Sequence, residues 1–201
     1  MKNIILVVLA IAALMVSSET LAGNSVESQK KKKTLEQKVP QAERDSREVE
    51  RLVKEVRKEL VTIPFFGVFD WLEGNVEADG TVHLRGEVTR LTMKKDAERR
   101  VRRIEGVASV DNKIEVLPLS PNDDRLRTAV FRALFGSNSP LFRYGQGAVP
   151  SIHIVIKNGR LTLKGVVSTK GDSDIANVRA NGVSGLFEVR NELQVESSGK
   201  K

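Results

Sequence analysis

The sequence predicts an α+β protein made of two tandem αββαβ domains, each a small three-stranded sheet packed against two helices. Three observations lead there. The chain matches itself when displaced by about 79 residues, the distance from Gly80 to Gly159. Within each matching half, apolar residues recur first at helical and then at alternating spacing. Each half also carries a dipeptide that tolerates positive φ, Asp79-Gly80 or Asn158-Gly159, where a tight hairpin turn belongs.

The register of the repeat is long. Val82-His83-Leu84-Arg85-Gly86-Glu87-Val88 lies on Leu161-Thr162-Leu163-Lys164-Gly165-Val166-Val167. Without a gap, Ala97 then meets Ala176, Ile104 meets Val183, Gly106 meets Gly185, Val110 meets Val189, Asn112 meets Asn191, and Val116 meets Val195.

In chain order, residues 1–22 read as a cleavable export signal. Lys2 precedes an apolar run from Ile4 to Val16, and Thr20-Leu21-Ala22 supplies the small-residue cleavage site. The run is about 13 residues, short of the roughly 20 that a spanning helix needs. Residues 23–44 lack an apolar period and carry Lys30 to Lys33 and Pro40, so they read as a basic flexible linker. From Ser46, Val49, Leu52, Val53, Val56 and Leu60 fall at helical spacing, and the helix ends before Pro64. The loop from Ile63 to Trp71 reads as core, because a domain this small needs its aromatic residues inside.

The opening strand of the first domain departs from the repeat. Ile152, Ile154 and Ile156 line one face in the second copy, but the register puts Glu73, Asn75 and Glu77 there in the first. Leu72 and Val76 have the opposite parity, so either a bulge re-phases this strand or its pairing differs. Val82 and Leu84, like Leu161 and Leu163, give each second strand one buried face. Met93, Ala97, Val101 and Ile104 form the apolar stripe of the next helix, and Ile114-Glu115-Val116 or Leu193-Gln194-Val195 closes each copy. The domains are placed at 45–118 and 122–196, joined by a stiff connector at 119–121, with a tail at 197–201. Leu126, Ala129, Val130, Ala133 and Leu134 repeat the leading helix at a slightly different shift.

The strings Asp79-Gly80-Thr81-Val82-His83-Leu84-Arg85-Gly86 and Gly106-Val107-Ala108-Ser109-Val110-Asp111-Asn112-Lys113-Ile114-Glu115-Val116 resemble the signature of the BON domain family. The second copy repeats it from Asn158 to Gly165 and from Gly185 to Leu193. Two such domains behind an export signal are similar to the osmotically inducible periplasmic proteins. That resemblance implies a non-enzymatic periplasmic protein of envelope maintenance or stress protection, and in some members phospholipid binding.

A formal net charge of +7 fits anionic partners: phospholipid, cell-wall polymer or acidic envelope proteins. Nucleic acid is not expected of an exported chain. The absence of cysteine excludes disulfides and a lipid-modified signal junction. His83 and His153 fall on different strands beside buried positions, so both are expected to point outward, and no spacing suits a metal or cofactor. No serine sits in a nucleophile elbow, so no catalytic site is expected. Asp123-Asp124 reads as a helix N-cap and dipole partner. Gly86 and Gly165 are expected to end their strands, Gly106 and Gly185 to cap helices, and Asn112 and Asn191 to be turn or strand-edge residues.

Two features point to a binding surface. Opposite the Met93 stripe the helix collects Lys95, Arg99, Arg102 and Arg103, more cations than Asp96 and Glu98 neutralise. Four such cations would contribute about 4 kcal/mol near an anionic bilayer, roughly millimolar affinity. Binding therefore needs apolar insertion or avidity as well. Phe142, Arg143 and Tyr144, between Pro140 and Gly145, are the candidate partner loop, with covering of the sheet edge as their alternative role. The competing functional readings are a periplasmic chaperone that takes exposed protein segments on a free sheet edge, and a structural adaptor in an envelope complex. Oligomeric state is not legible in the sequence.

Overall fold

The computed structural model describes residues 41–147 and 149–196. The expected signal, most of the linker and the tail lie outside them. Two αββαβ repeats follow one another, each with its own hydrophobic core.

Helix α1 runs Gln41–Val61. It therefore takes in residues 41–44, expected as linker, because Gln, Ala, Glu and Arg all favour helix even without an apolar period. Leu52, Val56 and Leu60 face inward from it. Strands β1 (Trp71–Val76) and β2 (Thr81–Val88) form an antiparallel hairpin. Helix α2 (Leu91–Val101) then crosses over to β3 (Ser109–Asn112) and β4 (Glu115–Val116), both parallel to β2. Val82, Leu84 and Val88 meet Leu52, Val56, Met93, Ala97 and Val101 in one cluster, so both helices cover one face of the sheet.

The second repeat has the same order: α3 (Pro121–Phe135), β5 (Ile152–Lys157), β6 (Arg160–Val167), α4 (Lys170–Asn181) and β7 (Glu188–Val195). A 3₁₀ turn, Phe142–Gly145, is inserted before β5. Where β7 is continuous, the first repeat breaks its closing strand at Lys113-Ile114.

The parity conflict in β1 is resolved in the turn. In the second repeat Lys157 pairs with Arg160, leaving the two-residue loop Asn158-Gly159. In the first, Val76 pairs with Val82 and the Glu77 amide donates to the Thr81 carbonyl, leaving a loop one residue longer, Ala78-Asp79-Gly80. Gly80, at φ 83°, takes the left-handed position that a three-residue hairpin loop requires. The extra residue shifts the phase by one, so Leu72, Gly74 and Val76 match Ile152, Ile154 and Ile156 opposite their partners. Where Ile154 fills the second core, Gly74 leaves room for α1: a Cβ there would stand 2.8 Å from Val56 Cγ1.

Gly86 and Gly165 lie inside β2 and β6, not at their ends. Each has φ near 125°, 125° and 123° respectively, and a Cβ would meet the carbonyl oxygen of Trp71 or Ser151 at 2.0 Å. Close approach of the first strand requires glycine at both places.

The segment between α1 and β1 does more than fill its own core. Phe66 packs on the first core, whereas Val68 and Phe69 pack against the second. The Ile154 amide donates to the Val68 carbonyl at 2.7 Å, so this segment covers the outer edge of β5. Glu115 to Lys157 at 2.5 Å and Glu73 to Lys164 at 3.8 Å place acidic side chains of the first sheet against basic ones of the second.

Candidate functional site

The outward side of α2 is basic for a simple reason of spacing. With Met93, Ala97 and Val101 buried, Lys95, Arg99 and Arg102 fall on the opposite side at about 100° per residue. The helix ends at Val101, however, so Arg102 is its C-cap and Arg103 stands in the following turn. Arg99, Arg100 and Arg102 thus also sit where cations complement the negative helix end.

Neutralisation is partial. Arg99 pairs with Asp96 at 2.5 Å, Arg102 with Glu98 at 2.7 Å, and Arg100 reaches Glu59 on α1 at 3.1 Å. Lys95 and Arg103 have no ion pair among the described residues, and together with Arg99 and Arg102 they line one shallow depression. Arg99 and Arg102 remain about 62% and 64% exposed, so their pairs are solvent-screened and leave the cations accessible.

The 142–144 turn is built differently from the expected loop. Tyr144 is buried, its hydroxyl donates to Asp172 Oδ2 at 2.9 Å, and it accepts the Ser168 amide at 2.9 Å. Arg143 lies over the Tyr144 ring and pairs with Asp172 at 2.9 Å. A hydrogen bond from Thr169, with help from Tyr144 and Arg143, holds the Asp172 carboxyl below its usual range. Two of the three residues therefore tie the turn to the start of α4, and only Phe142 presents an exposed apolar ring.

The histidines separate. His83 faces outward between Asp111 (3.1 Å) and Glu77 (2.9 Å), and these hydrogen bonds raise its pKa. His153 is buried, contrary to the outward placement expected of it. It is held between Phe66 and Trp71, at 5.5 and 5.1 Å between ring centroids, with Nδ1 3.2 Å from the Gly67 carbonyl. Burial pushes its pKa down. The signal missed in the sequence is that the neighbouring repeat covers this face of β5.

Asp123 stands in the first turn of α3, as a dipole partner would, but it is not the N-cap. Ser120 caps α3, accepting from the Asp123 amide at 3.2 Å. The buried Asp123 carboxylate instead accepts the Asn158 and Gly159 amides, both at 2.8 Å, and so braces the β5–β6 turn. Asn112 and Asn191 repeat one device. Each Nδ2 donates to a helix carbonyl, Lys94 or Ser173, at 3.0 Å, and each Oδ1 accepts an amide two residues on. The side chain clips the closing strand to the crossover helix, which explains its recurrence in both halves.

The BON domain family model matches residues 73–118 and 122–197. The chain belongs to the BON domain family. Both BON repeats carry the asparagine clip and the strand glycine. No curated protein matches the chain. Among solved structures, the C-terminal domain of CdsD, described as the structural protein of the type III secretion system of Chlamydia trachomatis, is similar at 12% identity and a TM-score of 0.29. It spans 73% of this chain and 98% of its own. A second CdsD structure from the same organism is 13% identical with a TM-score of 0.28, over 72% and 92%. In the BON repeats no group of three or more His, Cys, Asp or Glu side chains is placed to hold a metal among the described residues. No helix among them is long and apolar enough to cross a membrane.

Proposed function

We propose that this BON protein is a non-enzymatic, envelope-associated binding protein that contacts anionic phospholipid through the basic side of its first repeat, in envelope maintenance or stress protection. Family membership supports the binding-module and envelope parts of this reading. Export through residues 1–22 belongs to the same proposal. The observation that carries the lipid contact is the set Lys95, Arg99, Arg102 and Arg103, accessible on one side with Lys95 and Arg103 unpaired among the described residues. Such a set attracts an anionic bilayer by about 1 kcal/mol per cation.

Charge reversal tests it. Arg99→Glu with Arg103→Glu leaves the buried stripe untouched and removes co-flotation with phosphatidylglycerol vesicles. Undiminished flotation of that variant refutes the reading. The alternative, capture of extended protein segments, is favoured by the outer edge of β7, which pairs only with β6. Glu188, Arg190 and Glu192 along that strand weaken it, because charges on an edge discourage strand addition.

A further inference from the structure

The basic side of α2 needs an apolar partner, and the structure places one beside it. Phe65 is 74% exposed and has φ 67°, a left-handed backbone that bulky side chains avoid. A glycine there would remove the strain, so neither packing nor backbone geometry accounts for an aromatic ring at this point. The Arg90 guanidinium lies over the ring, 4.5 Å from its centroid. Leu91, the next residue, is 54% exposed.

The arrangement is built by Asp70. Its buried carboxylate accepts the Thr89 amide at 2.7 Å, the Thr89 hydroxyl at 2.8 Å and the Gly67 amide at 3.2 Å. That ties the segment carrying Phe65 to the junction where β2 turns into α2. Leu91 then starts the outward side of the helix, with Lys95 four, Arg99 eight and Arg102 eleven residues on. At 1.5 Å per residue the row is about 16 Å long, apolar at one end and cationic along the rest.

We infer that Phe65 and Leu91 are the inserting element of the membrane-contact surface, entering the headgroup region of an anionic bilayer while Arg90, Lys95, Arg99 and Arg102 contact phosphates. This rests on the lipid reading above and adds the site of insertion to it. The occupant follows from charge: an exposed aromatic and an exposed leucine in line with a row of cations match an anionic interface, where apolar groups go below the phosphates. In the 142–144 turn only Phe142 offers an exposed apolar ring, because Tyr144 is buried with its hydroxyl on Asp172.

The test uses the protein purified as the cell produces it, phosphatidylglycerol and neutral phosphatidylcholine vesicles, and the variants Phe65→Gly, Leu91→Gln and both together. Burying either side chain is worth roughly tenfold in partition, so the double variant should lose about a hundredfold on anionic vesicles. Its thermal midpoint should not fall, because Phe65→Gly relieves a strained backbone. The chain has no cysteine, so Thr92→Cys gives a single labelling site, and brominated lipid should quench a fluorophore placed there. Wild-type flotation with an unaffected double variant, or with no quenching, overturns the insertion while leaving the lipid reading intact. A wild type that binds neither vesicle overturns both.

Discussion

The carbonyl of Val68 accepts the Ile154 amide at 2.7 Å, so one repeat supplies the outer partner of the other's edge strand. Phe69 follows into the second core and meets Phe131 edge-on at 6.2 Å. The loop of the first repeat is thereby part of the second repeat's stability.

Phe69→Ala should therefore destabilise the second repeat, by about 2 kcal/mol for a partly buried aromatic. Urea unfolding checks it: the midpoint should fall with an unchanged slope. A midpoint equal to wild type contradicts the contact.

Asp123→Ala removes the buried acceptor of two turn amides. The loss should be about 2–4 kcal/mol, with Asp123→Asn retaining part, because the two amides are left without a partner. Chemical denaturation of the three proteins orders them.

Much of the architecture is legible in the sequence because a repeat reports itself twice. The order αββαβ, the turn dipeptides and the clipping asparagines all recur. What is not legible depends on counts and neighbours. Leu72 and Val76 show the reversed parity of β1, but its cause, one extra residue in the first hairpin loop, depends on where the pairing ends and is not written in the strand itself. An apolar segment such as 63–71 reads the same whether it fills its own core or its neighbour's, which is why Phe65 is expected inside and stands outside. His153 looks outward from strand alternation alone, since that pattern has no knowledge of Phe66, Gly67 and Trp71 of the first repeat, which cover it. Lys95 and Arg99 were locatable from helical spacing. The end of α2 before Arg102 was not, because Ile104 continues the apolar period past it.

The two histidines give opposite pH dependences. His153 has a lowered pKa in the fold, so below about pH 6.5 the unfolded chain takes up a proton that the folded chain refuses, and stability falls with acidification. His83 has a raised pKa, so its contribution is complete below about pH 6.5 and is lost as pH rises through its folded value. His153→Asn should flatten the fall in melting temperature below about pH 6.5, and His83→Asn should remove the gain in melting temperature that accompanies a fall in pH toward 6.5. Asp70, close to His153, favours its protonation and limits the size of the first effect. Indistinguishable profiles for the two variants contradict the assignment.

The most direct measurement of the central claim is binding of the wild-type protein to phosphatidylglycerol vesicles across a salt series. Screening shortens from about 10 Å at 0.1 M to about 3 Å at 1 M, so exposed cations lose most of their attraction over that range. Flotation is expected at 0.1 M and lost by 1 M, with none on neutral vesicles. Equal binding to neutral vesicles, or binding unchanged at 1 M, would contradict the central claim.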